Sequence, residues 1–150
     1  MPHLARPHTP IALEDLLRTA RSFVGVRYQH LGRDRFGLDC LGLWLATIWE
    51  LGAAYEDFLD YSCDPSTYIL VEQLGLHMQQ LGDWRREVRV GDLLVCRFHS
   101  SLPPQHIVIV TKLEGLYVWG IHASRKHGVV EQRVAHLERV ALGFRLREVT

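Results

Sequence analysis

The spacing of apolar residues changes partway along the chain, and that change limits the folds open to it. Up to about residue 82 they recur at three- and four-residue intervals. Beyond residue 91 they gather in short Val-, Leu- and Ile-rich runs separated by Gly and Pro. The first spacing is that of helices and the second that of strands. Ile11, Leu13, Leu16, Leu17, Ala20 and Phe23 predict a helix over 10–24, with Thr9 as its cap and Pro10 in its first turn. Residues 25–38 are rich in Gly and Arg and read as a solvated loop. A second helix is predicted from Asp39-Cys40 to Leu51, stopped by Gly52. A third starts at Asp64-Pro65, carries Tyr68, Ile69, Val71, Leu74, Leu76, His77 and Leu81, and ends near Gly82. The runs over 92–97, 105–112, 115–121, 128–131 and 140–147 predict an antiparallel sheet of about five strands. Helices followed by strands imply an α+β fold in two layers.

The 150 residues fit a single domain, 1–150. Lys and Arg total 17 and so do Asp and Glu, so the formal charge is zero. No basic excess is present to grip a phosphate backbone, which argues against nucleic acid as a partner. Apolar residues make up 47%, which excludes a wholly disordered chain. No apolar run approaches the roughly 18 residues that a membrane helix needs, so no membrane insertion is expected. The start of the chain lacks the charged-then-apolar order of a signal peptide, so synthesis in the cytoplasm without export is expected. Residues 1–8, with two Pro and two His, read as an arm.

The cysteines are Cys40, Cys63 and Cys96. An odd number cannot pair completely, and no C-x-x-C spacing is present. Cys40 stands at a predicted helix start, where the helix dipole and free N–H groups favour a thiolate. Arg27, Arg33 and Arg35 in the preceding loop would act in the same direction if close. The plain alternative is a small buried residue at a helix start. A nucleophilic thiol needs a base. His106 opens one strand-like run and His122 closes the next, so a hairpin would make them neighbours. That supplies nucleophile Cys40, base His106 and orienting residue His122. A surface or core-edge histidine is the alternative for each. Cys96, His99 and His106 form a weaker zinc candidate, because residues three apart on a strand face opposite sides.

These segments resemble the NlpC-type cell-wall cysteine peptidases. Gly25-Val26-Arg27-Tyr28 through Gly37-Leu38-Asp39-Cys40-Leu41-Gly42-Leu43 is similar to their Tyr, Gly-containing loop and Asp-Cys-Ser-Gly-Leu helix start. Val90-Gly91-Asp92-Leu93-Leu94 resembles their Pro-Gly-Asp-Leu strand start. Gln105-His106-Ile107-Val108-Ile109 resembles their His-Val-Gly-Ile strand. Ile121-His122-Ala123 with Gly128-Val129-Val130 resembles their His-Ala…Gly-Val-Val segment. The four follow in family order over residues 10–147.

Tyr28-Gln29-His30-Leu31-Gly32-Arg33 is similar to one branch, the single-domain peptidases at the tail tips of phages and gene transfer particles. The resemblance implies a papain-like α+β fold and hydrolysis of an amide bond in the peptidoglycan stem peptide. It implies Cys40, His106 and His122 as catalytic residues, and Tyr28 and Asp39 as substrate-binding residues, with Asp39 on a free amine. It implies no metal and no organic cofactor. The implied partners are peptidoglycan and tail-tip or baseplate proteins, and the implied place of action is the periplasmic wall, reached on a tail. A catalytically silent tail-tip or wall-binding protein of the same fold is the alternative. Leu41 stands where most relatives have Ser, and His30-Leu31 where many have Trp-Gly, all near the family's substrate groove. Residues 53–84 read as a longer helical insert, suited to contact with neighbouring tail proteins.

Overall fold

A computed structural model describes residues 10–53, 55–97, 99 and 101–149. The expected arm over 1–8 and its Thr9 cap lie outside them. Helix α1 spans Leu13–Arg21, shorter than the predicted 10–24. Its start is set by the opposite end of the chain. The Ile11 N–H donates to the Glu148 carbonyl at 2.7 Å, which holds the preceding residues extended. Ala12 takes the cap position without a side-chain bond.

The predicted loop over 25–38 contains a small antiparallel hairpin, β1 (Arg33–Asp34) and β2 (Gly37–Leu38). Helix α2 spans Cys40–Glu50, and every residue from Leu41 to Ile48 is buried. A helix buried all round belongs in the centre of a fold, and α2 packs on α1 and on the sheet.

Helix α3 spans Thr67–Gly75, capped by Ser66, whose hydroxyl accepts from the Ile69 N–H. The expected continuation to Gly82 does not form. Met78–Gln80 is instead a strand, β3, at the edge of the sheet. Met78 and Leu81 satisfy either period, and backbone pairing with a strand at the far end of the sequence decides between them. Residues 55–66 are also non-helical. The expected helical insert over 53–84 instead holds an irregular segment, one helix, an edge strand and the start of a short helix α4 (Trp84–Glu87).

The remaining strands are β4 (Leu93–Cys96), β5 (His106–Glu114), β6 (Tyr117–Ser124), β7 (Gly128–His136) and β8 (Val140–Leu146). They form a six-stranded antiparallel sheet in the order β3-β8-β4-β5-β6-β7. The sequence predicts about five; β3 is the additional strand.

Both faces of the central strands are covered. Leu93, Val95, Ile107, Ile109, Ile121 and Phe144 face the helices. Leu94, Cys96, Val108, Val110 and Val118 form a second cluster, covered by Trp84, Val88, Val134 and Leu137. Two-sided burial explains why β4 and the start of β5 read as unbroken apolar runs. Each fully buried Val, Leu or Ile contributes about 1.5–3 kcal/mol, so this part of the sheet is the firmest element of the fold.

Candidate active site

Cys40 is the first residue of α2, and the residue before it builds its surroundings. The Asp39 carboxylate caps the helix, accepting from the Gly42 N–H at 2.7 Å. It also accepts from the Leu31 N–H at 2.9 Å, Arg33 Nη1 at 2.9 Å and the Tyr61 hydroxyl at 2.5 Å. Four donors around a carboxylate that is 2% exposed satisfy a buried charge. Gly42 makes this closeness possible. A Cβ there would lie 1.9 Å from the Gly32 carbonyl oxygen, so any other residue would push the 31–33 loop off the helix.

Arg33 extends the network to Asp57 at 2.8 Å and to the Phe58 carbonyl at 3.1 Å. The irregular 55–66 segment is thereby fastened beside the helix start. Tyr28 reaches the site through backbone pairing on both sides of it. The Gln29 N–H donates to the Leu38 carbonyl and the Leu38 N–H to the Arg27 carbonyl, each at 3.1 Å.

The histidines come from the sheet. His106 begins β5 and His122 lies in β6, whose register is set by Ile109 opposite Ile121. His106 Nε2 and His122 Nδ1 are 2.7 Å apart, and the rings meet edge-on with centroids 4.7 Å apart. Beyond them the Gln132 amide nitrogen, Nε2, lies 2.9 Å from His122 Nε2. Tyr28, Cys40 and His106 line one cavity of about 310 Å³, together with Cys63, Asp64 and Arg125. The Ile107 backbone, next to His106, acts on the Cys40 thiol and lowers its pKa.

Electrostatics hold the site neutral at rest. Burial, reinforced by the Asp39 charge, pushes the Cys40 thiol up to about 12 against the N–H donors of Ile107, Leu41 and Cys40 itself. Burial, with the charge of its neighbours His122 and Arg125, holds His106 well below the usual imidazole range. Burial lowers His122 to about 4. The Tyr28 hydroxyl is raised by burial first and by Cys40 second, so it stays a donor at neutral pH.

This corrects the expected activation of Cys40 by the loop arginines. Arg27 bonds to the Phe36 carbonyl, Arg33 to Asp39 and Asp57, and Arg35 to Ser22 and Glu50. All three are engaged away from the sulfur.

The structure thus brings Cys40, His106, His122 and Tyr28 together. It places Asp39 beneath the cavity as the helix cap, with its oxygens already occupied, and not in the cavity wall. Leu41 is buried in the core, and neither it nor His30-Leu31 lines the cavity. Cys96 packs in the second apolar cluster, while the His99 ring sits 3.3 Å from the Ser101 hydroxyl. No cluster of His, Cys, Asp and Glu among the described residues has the arrangement of a metal site.

Arg125 and Gln132 are not singled out by the sequence reading. Arg125 donates to the Cys63 carbonyl, at 2.6 Å, and to the Asp64 carboxylate, joining the 55–66 segment to the end of β6. Its charge also acts on the Tyr28 hydroxyl and opposes the upward shift there. Its place directly after the His-Ala-Ser segment is the one sequence signal that could have found it.

No family model matches the sequence, and no curated protein matches it. Solved structures do. The NlpC/p60 domain of the peptidoglycan hydrolase SagA aligns over 89% of this chain and 97% of its own, with a TM-score of 0.56 and 19% identity. An NlpC/p60 family protein from Bacillus cereus aligns over 92% of this chain, with a TM-score of 0.62 and 18% identity. A Staphylococcus aureus protein of the same family, described as similar to a lipoprotein, aligns over 94%, with a TM-score of 0.58 and 16% identity. The chain spans 41% and 45% of the length of those last two. The fold is that of the NlpC/p60 domains.

Proposed function

We propose that the protein is a cysteine peptidase that hydrolyses an amide bond in peptidoglycan stem peptides. The observation that carries the reading is one cavity lined by Cys40, His106 and Tyr28, with His122 hydrogen-bonded behind the base. The fold supports it, since its neighbours include a domain described as belonging to a peptidoglycan hydrolase.

The reaction is acyl transfer. The Cys40 sulfur attacks the stem-peptide carbonyl as its proton passes to His106 Nδ1. Neutral partners suit this coupled step, because neither charge forms in the buried site before attack. The Cys40 N–H and the Tyr28 hydroxyl donate to the oxyanion, each such donor being worth about 3–4 kcal/mol. The tetrahedral intermediate collapses, the C–N bond breaks and His106 returns the proton to the leaving amine. Water then gives a proton to His106, attacks the thioester and releases the acid, and the proton returns to sulfur. Arg125 on the cavity wall offers a cation to a carboxylate of the stem.

We further propose that the protein is carried on the tail tip of a phage or phage-like particle. The Tyr28–Arg33 segment supports that reading. An antibody against the chain should label the tails of purified particles; label found only in the lysate contradicts it.

Digestion of purified peptidoglycan, with released fragments weighed by mass spectrometry, tests the peptidase reading. Wild-type protein should release stem-peptide fragments and Cys40→Ala none. Equal release by both would overturn the reading, and release by neither from whole particles would favour a silent tail protein.

A further inference from the structure

A neutral imidazole donates through one nitrogen and accepts through the other. The row His106–His122–Gln132 therefore has only two self-consistent orders. In the first, the Gln132 amide N–H donates to His122 Nε2. His122 then carries its proton on Nδ1 and donates to His106 Nε2. His106 then carries its own proton on Nδ1, the nitrogen not turned to His122, and cannot take another there without becoming doubly protonated. In the second, the amide oxygen accepts from His122 Nε2–H. His122 Nδ1 then accepts from His106 Nε2–H, and His106 Nδ1 is a bare acceptor. A half-turn about the last bond of the Gln132 side chain exchanges amide nitrogen for oxygen, which are close in size. The shared proton then moves from His122 Nδ1 to His106 Nε2, His122 Nε2 gains a proton from water and His106 Nδ1 loses one to water.

Only the second order lets Cys40 pass its proton to His106. It also leaves a dipole of the right sign behind the cation that results. Once His106 is protonated, His106 Nε2–H points at His122 Nδ1 and His122 Nε2–H at the amide oxygen, so each hydrogen bond strengthens as charge forms. The fold presents Gln132 for this task. It lies opposite Gly120 in the β6–β7 ladder, two residues before His122, which places its side chain diagonally across from that ring. The contact is 2.9 Å with the amide nitrogen placed toward the ring, and Gln132 is exposed, so the second order requires the amide turned by half a turn at the same site.

We propose that Gln132 is a positioning residue whose amide oxygen, turned toward His122 Nε2, fixes the tautomers of both histidines and so the direction of proton transfer. This rests on Cys40 and His106 being nucleophile and base.

Nitrogen-15 NMR of histidine-labelled wild-type protein at pH 7 reads the tautomers directly and needs no substrate. Both His106 and His122 should be protonated at Nε2 and bare at Nδ1. A proton on His122 Nδ1 overturns the proposal. Gln132→Met keeps the shape and removes the acceptor. By the scale seen for hydrogen-bond partners that orient metal-bound histidines, kcat for stem-peptide release should fall about 10–100-fold, with KM unchanged. Gln132→Glu, an obligate acceptor, should restore kcat and move the acidic limb of the pH profile upward. Wild-type kcat in Gln132→Met, or equal losses in the Met and Glu variants, also overturns it. If the tautomers are as predicted but wild-type protein releases no fragments, the peptidase reading fails and the hydrogen-bond order stands.

Discussion

The thiol and its base are held by different physics. Cys40 sits on a polar structure: a carboxylate with four donors, an arginine shared between two aspartates and a glycine that lets a loop touch a helix. His106 sits at the end of a strand whose next four residues are buried between two apolar layers. Polar networks fix direction, because each bond has a required geometry. Apolar layers fix position, because close-packed interiors resist displacement. Damage to the first should therefore cost activity out of proportion to stability. Damage to the second should cost stability, with the remaining folded molecules active.

The largest stability effect is expected in the sheet. Ile109→Ala should cost about 2–5 kcal/mol in chemical denaturation, with activity per folded molecule within twofold of wild type. Asp39→Ala should cost less, about 2–3 kcal/mol, because Arg33 keeps Asp57, yet it should lower hydrolysis at least a hundredfold where the protein is fully folded. If the two variants lose activity only in proportion to unfolding, the contrast between the regions is broken.

Tyr61→Phe sharpens the same contrast. It removes one of the four donors to Asp39 and should cost about 1 kcal/mol. Arg125→Ala should leave stability within about 0.5 kcal/mol, as expected for a half-exposed ion pair, and should raise KM more than it lowers kcat.

The last effect vanishes at neutral pH. His77 and His122 are each lowered by burial to about 4. Above the ordinary imidazole value of about 6.5 neither the folded nor the unfolded chain binds these protons. Between there and about 4 the unfolded chain takes up protons that the native state refuses, so stability falls as pH falls. Activity needs neutral His106 and His122, so its acidic limb should lie near pH 4 rather than 6.5. A stability curve flat from pH 7 to 4 would contradict both shifts.

The sequence was most legible where function and fold use short, contiguous patterns. Cys40 after Asp39 at a helix start, His106 and His122 on successive strands, and the division into helices and sheet can all be read from spacing. Less was legible where the decisive partner lies far along the chain. β3 forms because Met78–Gln80 meets Phe144–Leu146, and no local period announces that. Asp39 stands out beside Cys40, yet its four donors come from residues 31, 33, 42 and 61, which no local pattern announces. Gln132 and Arg125 acquire roles only through folded contacts across β6 and the 55–66 segment.

Cys40 and His106 come from these two unlike regions, and the proposed chemistry requires them to act as one unit. Stem-peptide release by wild type, Cys40→Ala, His106→Ala and the double variant tests this most directly. Residues that act together are strongly non-additive. Each single substitution is predicted to abolish release as fully as the double does, with all four proteins folded. His106→Ala releasing fragments within tenfold of wild type would contradict the account.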